Sequence, residues 1–259
     1  MNRIDEKFID LKQKGEKALI PFFTAGFPSA GKTVQMVKMA EKSGADMVEL
    51  GIPFSDPIAD GPIIQYTSLK ALENGVNTDT IFEMCGALRK TVSIPYLLMG
   101  YYNPIYRYGL KRFVNRCAAS GVSGLVLPDI PYEESGEIRG LLREHDIRLI
   151  SFMTPFTSLQ RAEKILKDAE GFIYFVTIAG VTGPKGSFAD ELVEKIRETK
   201  KITDIPVAAG FGVSGVKQVR EIRDFVDGVI VGSFFAKKVI DGKTDRLWEI
   251  MRKFKRALK

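Results

Sequence analysis

Residues 207–231, VAAGFGVSGVKQVREIRDFVDGVIV, contain the pattern from which the architecture follows. The two ends of this segment, 207–209 and 228–231, are short apolar runs, and the part between them, 215–225, has the apolar spacing of an amphipathic helix. The runs are apolar along their length rather than alternating with polar residues, as expected of parallel strands buried on both faces. The segment therefore predicts a strand–helix–strand unit of an α/β protein.

The same unit recurs along the chain. Eight apolar runs alternate with amphipathic segments, and an eightfold count favours a closed (β/α)8 TIM barrel over an open doubly wound sheet. An extra helix over 5–14 is expected to plug the bottom of the barrel. The predicted strands are 18–24, 47–51, 96–99, 124–127, 148–152, 172–176, 207–209 and 228–231, and the predicted helices between them are 32–43, 78–89, 110–119, 135–144, 158–168, 190–200 and 215–225.

Length and composition agree with this architecture. The chain has 259 residues, close to the roughly 250 at which a TIM barrel closes, so residues 1–259 are expected to form a single catalytic domain. No apolar run reaches the ~18 residues of a membrane span, and the charged amino terminus does not resemble a signal peptide, which predicts a cytoplasmic protein without a membrane partner. Cys85 and Cys117 make no CxxC motif, so buried free thiols are expected rather than a disulfide or a metal site.

The formal net charge of +6 does not by itself predict a nucleic-acid partner, because the basic residues are scattered. The densest basic group lies near the carboxyl end, where Leu247, Met251, Phe254 and Leu258 recur at helical spacing. The basic residues are therefore expected on the solvent-exposed face of a closing helix. They are Arg252, Lys253, Lys255, Arg256 and Lys259.

Two long irregular segments, 51–65 and 178–188, follow the second and sixth predicted strands. Both lie at the carboxyl ends of strands, the face on which barrel enzymes hold their catalytic groups. The only histidine, His145, precedes the fifth strand and therefore belongs to the opposite face. The candidate acid and base groups on the catalytic face are carboxylates, namely Glu49, Asp56, Asp60 and Asp129.

Glu49 lies inside an otherwise apolar strand, DMVELGI, residues 46–52. By the two-residue period of a strand it points to the same side as Met47 and Gly51, and if that side is the barrel interior the carboxyl is desolvated. Desolvation raises a carboxyl pKa, which suits a group that gives and takes protons near neutral pH. Glu49 is therefore predicted to be a catalytic proton shuttle; the alternative is a strand Glu paired with a basic neighbour.

Asp60 lies in the loop PFSDPIADGP, residues 53–62, whose three prolines stiffen it over the barrel mouth. A solvated, ionised Asp60 beside a Glu49 of raised pKa would give the site a base or hydrogen-bond acceptor as well as a proton shuttle. Asp56 and Asp129 fit a functional role and a turn-closing role equally well.

An anion site is predicted from glycines that follow the last three strands. Phe211 and Gly212 follow strand seven, Gly232 and Ser233 follow strand eight and open a short helix, and Gly183 lies in the loop after strand six. Glycine lets backbone N–H groups approach a ligand closely, and a helix start adds a partial positive charge. Many barrels bind phosphate at the loops after strands seven and eight, so a small phosphorylated substrate is expected.

Aromatic side chains near strand ends are the remaining candidates. They fit either the enclosure of a planar substrate or the filling of the core, and spacing does not separate these roles. They are Phe22, Tyr101, Tyr174 and Phe211.

The run VELGIPFSDPIADGP, residues 48–62, resembles the signature of the tryptophan synthase α subunit family. Five further motifs fall in that family's order and spacing across essentially the whole chain. The resemblance implies a (β/α)8 barrel that cleaves indole-3-glycerol phosphate to indole and glyceraldehyde 3-phosphate by a retro-aldol reaction in tryptophan biosynthesis. The motifs are PFFTAGFP (21–28), LLMGYYNPI (97–105), LPDIPYEES (127–135), AGVTG (179–183) and AGFGVS (209–214).

The resemblance also implies residue roles. Glu49 would be the proton shuttle, and Asp60 would hold the indole N–H and stabilise the positive charge that grows on the ring. Tyr174 would assist near the bond that breaks, and Phe22 and Tyr101, or Tyr102 in its place, would line the indole pocket. The phosphate would be held by Gly183, Phe211, Gly212, Gly232 and Ser233.

A partner is implied as well. The loops after strands two and six would close over the substrate, and Pro53, Asp56, Pro57 and Asn103 would face a β subunit in an α2β2 assembly. No cofactor is implied for this chain, because pyridoxal phosphate belongs to the β subunit. Two alternatives stay open: a free-standing indole-3-glycerol phosphate lyase that needs no partner, and a barrel retained as a non-catalytic allosteric scaffold.

Overall fold

The structure, a computed structural model, describes residues 1–176, 187–210, 213 and 215–259, apart from the side chains of 187–192 and 245. In these ranges eight parallel strands pair in chain order, and the first pairs with the last to close a barrel. The (β/α)8 TIM barrel predicted from the sequence is confirmed. The strands are β1 (Ala18–Thr24), β2 (Val48–Gly51), β3 (Tyr96–Met99), β4 (Gly124–Val126), β5 (Arg148–Met153), β6 (Ile173–Val176), β7 (Val207–Gly210) and β8 (Gly228–Val231).

At least one helix follows every strand of the barrel. Four helices begin at a Ser or Asn whose side chain accepts a hydrogen bond from a first-turn backbone N–H group, which satisfies a donor that the helix itself cannot pair. The helices are α1 (Arg3–Lys14), α2 (Ala30–Lys42), α3 (Pro62–Glu73), α4 (Thr78–Arg89), α5 (Tyr102–Tyr108), α6 (Leu110–Ala119), α7 (Gly136–Glu144), α8 (Leu159–Leu166), α9 (Ser187–Lys201), α10 (Val216–Ile222), α11 (Ser233–Ile240) and α12 (Thr244–Ala257), with a 3-10 turn at Tyr132–Glu134.

The irregular segments predicted after strands two and six are shorter than expected at their carboxyl ends. Helix α3 already begins at Pro62, because proline lacks an N–H group and its fixed φ suits the first helical position. Helix α9 begins at Ser187. Helices α3 and α5 were both missed by the sequence interpretation: α3 overlaps the end of the segment expected to be irregular, and Asn103 and Pro104 at the start of α5 are typical of a turn.

Alternate residues of each strand face the barrel interior and the surrounding helices. Met47 and Ile150 belong to an inner cluster, whereas their neighbours Val48 and Leu149 pack in the layer beneath the helices. Both faces of the strands are therefore apolar, as predicted for a parallel sheet. Cys85 and Cys117 are buried free thiols, also as predicted.

Helix α1 seals the bottom of the barrel, as the sequence predicts. Ile4, Phe8 and Leu11 are buried and belong to the inner cluster, and the rings of Phe8 and Phe172 lie 5.6 Å apart. The Asn2 side chain caps α1 and donates a hydrogen bond of 2.9 Å to the carbonyl oxygen of Ser123. This contact ties the helix start to the segment before β4.

The prediction that the basic residues of the closing helix α12 are exposed is wrong for Lys255. Its side chain is buried, and its Nζ lies 2.9 and 3.1 Å from the two carboxylate oxygens of Asp46. The aliphatic stem of Lys255 passes Gly44, where an added Cβ would lie 3.0 Å from it, so the missing side chain of Gly44 makes room for the lysine. The other four basic residues are exposed, as expected. No helix in the described ranges has the length and apolar composition required to cross a membrane.

Candidate active site

The carboxyl ends of the strands surround a cavity of about 920 Å³. Asp60 is the acidic group on its wall, and most of the remaining surface is apolar. Such a cavity, apolar with a few polar groups, is typical of a small-molecule site. Its wall includes Phe22, Ile64, Met99, Phe152, Tyr174, Ile230, Gly232, Ser233, Lys237 and Lys238.

Glu49 lies on β2 between Phe22 of β1 and Leu97 of β3 and is only 2% exposed. In the described part of the chain, neither of its carboxylate oxygens has a hydrogen-bond partner. Burial, with a smaller contribution from the negative charge of Asp60, raises the pKa of Glu49 to about 8. Glu49 therefore carries a proton at neutral pH, as a proton donor must. Among the described residues no basic side chain pairs with Glu49, so the alternative of a strand Glu paired with a basic neighbour is not supported.

Asp60 is fixed by Tyr101. The Tyr101 hydroxyl donates to Asp60 Oδ2 at 3.0 Å and accepts from the Ala59 backbone N–H at 3.1 Å. Burial raises the pKa of Asp60 to about 6, and the hydrogen bond from Tyr101 opposes this rise. The expectation of a solvated Asp60 is wrong, because the carboxylate is partly desolvated beside Tyr101. Its charge at neutral pH agrees with the prediction.

Tyr101 lies behind Asp60 rather than on the cavity wall. Its ring packs against Phe54, with 5.4 Å between ring centroids. The neighbouring Tyr102 uses its backbone N–H to donate to both carboxylate oxygens of Asp129, at 3.0 and 2.9 Å. Asp129 therefore fixes the start of α5, a structural contact with a distant segment that leaves both its functional role and the closure of its own turn as predictions. Of the two tyrosines, Tyr101 is the one whose side chain contacts Asp60.

Two aromatic rings of the cavity wall lie over glycines of the next strand. An ideal Cβ on Gly51 would be 2.4 Å from Cζ of Phe22, and one on Gly210 would be 2.3 Å from Cε1 of Tyr174. Real Cβ atoms do not approach other atoms this closely, so both rings depend on a missing side chain. The sequence interpretation did not predict that these glycines make room for the aromatic rings. The only sign of this role in the sequence is a glycine at the end of an apolar strand.

Gly51→Ala is expected to destabilise the protein by about 1–3 kcal/mol, because the new methyl group overlaps the Phe22 ring and forces it off its position. Gly140→Ala is a matched control, since a Cβ there meets nothing within 4 Å and the helix gains about 0.5–1 kcal/mol from alanine. Denaturant titration measures both. Equal stability of Gly51→Ala and the wild type would contradict the proposed packing.

The phosphate end of the predicted site is only partly described. Gly232 and Ser233 line the cavity, and α11 begins at Ser233, as the sequence predicted for this helix; phosphate binding there stays a prediction. Lys237 and Lys238 line the same end, although sequence reasoning missed them. The sequence feature that could have indicated them is their place about one helical turn after Ser233, on a helix that begins at the end of a strand. Three further predicted residues, Gly183, Phe211 and Gly212, lie outside the described residues.

The predicted partner surface contains both exposed and buried residues. Asp56 and Asn103 are exposed, whereas Pro53 and Pro57 are buried within the chain itself. Ile58, in the same loop, is 82% exposed. Among the described residues, no group of His, Cys, Asp and Glu side chains is placed to hold a metal ion.

Comparison with known proteins gives one consistent result. A family model described as tryptophan synthase alpha chain matches residues 8–258. The tryptophan synthase alpha chain of Lachnospira eligens is 44% identical over 240 residues, covering 92% of this chain and 90% of that protein. The alpha chain of Geobacter sp. strain M21 is 40% identical over 259 residues, covering 100% and 97%.

Solved structures agree. The crystal structure of tryptophan synthase subunit alpha from Legionella pneumophila has a TM-score of 0.92 at 33% identity, covering 100% of this chain and 98% of that one. The structure of tryptophan synthase from M. tuberculosis in its aminoacrylate-bound form has a TM-score of 0.91 at 27% identity, covering 100% of both chains.

Proposed function

The chain belongs to the tryptophan synthase alpha chain family, and we propose that it is a lyase that cleaves indole-3-glycerol phosphate to indole and glyceraldehyde 3-phosphate in tryptophan biosynthesis. The observation that supports this most directly is the pair of carboxyl groups. Glu49 has a pKa of about 8 and Asp60 a pKa of about 6, so at neutral pH one holds a proton and the other a negative charge. Retro-aldol cleavage of this substrate requires both states at once.

Each carboxyl group has one task in the proposed reaction. Neutral Glu49 gives its proton to indole C3, and Asp60 accepts the indole N–H and stabilises the positive charge on the ring. The resulting Glu49 carboxylate takes the proton of the hydroxyl on the carbon attached to C3. The bond from C3 to that carbon breaks, its electron pair restores the aromatic ring, and the carbon becomes the aldehyde. Glu49 ends the cycle protonated again.

Glu49 is not on the cavity wall, but Asp60 and Tyr174, which are on it, are its electrostatic neighbours. Its two unpaired oxygens make rotation toward a bound substrate favourable, since the substrate offers them a hydrogen-bond partner. At the other end of the cavity the Ser233 hydroxyl, the start of α11 and Lys237 suit a phosphate group.

A β subunit is part of the proposal. The loop with Asp56 and Ile58 and the start of α5 with Asn103 offer exposed polar and apolar groups on the catalytic face. An α2β2 assembly in the cytoplasm, with pyridoxal phosphate held by the β subunit, would consume the indole. Contact with the β subunit would hold the loop that carries Asp60 in its active position.

The experiment that tests this function measures indole release from indole-3-glycerol phosphate, with and without a tryptophan synthase β subunit. We expect slow release from the isolated chain and a rate increase on mixing. Release without any increase on mixing would instead support a free-standing lyase. No release in either case, together with activation of the β subunit, would support a non-catalytic scaffold.

The pH dependence of kcat/KM is expected to be bell-shaped, with its limbs near pH 6 and pH 8. Below about pH 6 Asp60 becomes protonated and no longer accepts the indole N–H as an anion. Above about pH 8 Glu49 loses the proton that it must donate. Initial rates of indole release across this range check the profile, and a rate that is independent of pH between the two limbs and beyond them would contradict the assignment.

Tyr101→Phe is expected to move the acid limb to higher pH by roughly one unit. The tyrosine hydroxyl stabilises the charged form of Asp60, so its removal raises the pKa of that carboxyl further. Tyr102→Phe is the control, because Tyr102 contacts Asp129 through its backbone alone. An unchanged acid limb in Tyr101→Phe would show that Asp60 does not set it.

A further inference from the structure

A second cavity, of about 510 Å³, lies in the sector of β4, β5, α7 and α8. On β5, Ile150 and Phe152 pack with the inner cluster, whereas Leu149 belongs to the layer beneath the helices and Ser151 alternates to the same outer side. The second cavity reaches this outer face and shares only a few wall residues with the barrel cavity, among them Pro128 and Thr154.

Arg139 of α7 lines this second cavity and is only 7% exposed. It donates to the carbonyl oxygen of Asp168 at 2.8 Å and to the hydroxyl of Ser135 at 3.4 Å. No carboxylate of the described residues lies within ion-pair distance of its guanidinium. The nearby carboxylate of Asp168 is already engaged by the Tyr132 hydroxyl at 2.6 Å and by Arg143 at 3.1 Å.

The charges of Asp168 and Glu170 act on Arg139 from beyond ion-pair distance, both carboxylates are bound by Arg143, and the Tyr132 ring lies 5.8 Å from the guanidinium. A buried guanidinium that no anion contacts directly is costly. The positive charge of Arg139 is permanent, and its guanidinium has five N–H donors. Its hydrogen bonds to the Asp168 carbonyl oxygen and the Ser135 hydroxyl leave other N–H donors of the guanidinium unpaired. The second cavity is where an anion could pair with them.

Ser151 is a second, independent sign of a ligand. It is 6% exposed and lines the same cavity, and its Oγ has no hydrogen-bond partner in the described ranges. Buried hydroxyl groups are almost always paired, so an unpaired one beside a cavity indicates a missing polar partner. The rest of the wall is largely apolar, with Leu127, Leu149 and Ile165 among its residues.

We infer that this cavity is a second binding site, for a small carboxylate with an apolar body, in which Arg139 pairs with the carboxylate and Ser151 donates to it. A single buried guanidinium balances a monoanion better than a phosphate dianion. Arg161 at the same cavity adds no free charge, because it is bound to both carboxylate oxygens of Glu133 at 2.9 and 3.0 Å. The volume lies within the range of roughly 300–1,000 Å³ of small-molecule sites. The site does not depend on the proposed reaction.

The test uses phenylpropionate as the probe, titrated calorimetrically into the full chain, with phenylpropionamide as its uncharged counterpart. We expect saturable binding of phenylpropionate and no binding of the amide. Arg139→Gln should weaken binding at least about tenfold, as expected for the loss of a hydrogen bond between charged groups. Ser151→Leu should abolish binding by filling the cavity while Arg139 stays in place, so it keeps the test valid if Arg139→Gln folds poorly.

Two controls locate the probe. Arg161→Gln removes a charge that is already paired, and Lys237→Gln removes one from the barrel cavity; both should change the affinity less than about twofold. The inference is overturned if phenylpropionate does not bind saturably at millimolar concentration, if Ser151→Leu binds it like the wild type, or if Lys237→Gln abolishes binding. Equal competition by inorganic phosphate would overturn the requirement for a carboxylate with an apolar body.

Discussion

Glu49→Gln should abolish indole release while substrate binding is retained. The amide has nearly the shape of the protonated carboxyl group but cannot give or take a proton, and a general acid–base group contributes about 10²–10⁴-fold to a rate. Because the interaction is lost only in the transition state, kcat should fall and the dissociation constant of the substrate should stay nearly constant. Single-turnover indole release and equilibrium binding measure the two quantities separately.

The stability of this variant provides an internal control. The pKa of Glu49 is about 8 in the folded chain, against an ordinary value of 4.5, so the folded state keeps a proton that the unfolded state releases. The wild type therefore loses stability as the pH rises from about 4.5 to about 8, whereas Glu49→Gln does not. Above pH 8 the variant should be the more stable protein. A variant that is less stable than the wild type at pH 8 would indicate that Glu49 is ionised and paired.

Lys255→Met should cost about 3–5 kcal/mol of stability, because it leaves the buried carboxylate of Asp46 without its charged partner and with only the hydrogen bond from the Leu19 N–H group. Burial already raises the pKa of Asp46 even with the ammonium group beside it. The ammonium of Lys255 also donates to the carbonyl oxygen of Lys17 at 3.2 Å and pairs with Glu16 at 3.0 Å. Its removal therefore loosens contacts at the start of β1, the start of β2 and the last helix together.

Lys253→Met is the matched control for that experiment. The same substitution is made two residues away, on the exposed face of α12, where a change of less than about 0.5 kcal/mol is expected. Denaturant titration of the three proteins gives the difference directly. If the two variants were equally stable, the Asp46–Lys255 pair would not stabilise the barrel.

Sequence periodicity was sufficient to predict the barrel, because its strands are short apolar runs between amphipathic helices. The predicted strand bounds differ from the observed ones by at most one residue, as at β2, which begins at Val48 rather than Met47. Errors occur where local composition and tertiary contacts disagree. Helix α5 begins with turn-forming residues, and Lys255 follows the pattern of an exposed helical residue although Asp46, far away in the chain, buries it.

In the candidate site, too, local sequence pattern predicted some features, whereas others depend on contacts between distant residues. The inward direction of Glu49 follows from the two-residue period of β2, so sequence reasoning found it. The contact between Tyr101 and Asp60 joins residues 41 positions apart, and no local pattern indicates it. Arg139 is the clearest case, since a basic residue on an amphipathic helix normally faces water, and only its packing in the sector of β5 shows otherwise.

The pairing of β1 with β8 has a consequence for the protein during its synthesis. Ala18 to Pro21 pair with Gly228 to Val231, so the ring cannot close until β8, the last strand, has left the ribosome. Until then β1 has an unpaired edge, which is able to associate with strands of other chains. An incomplete ring therefore exists from the synthesis of β1 until β8 emerges, and during that time the unpaired edge needs protection in the cell.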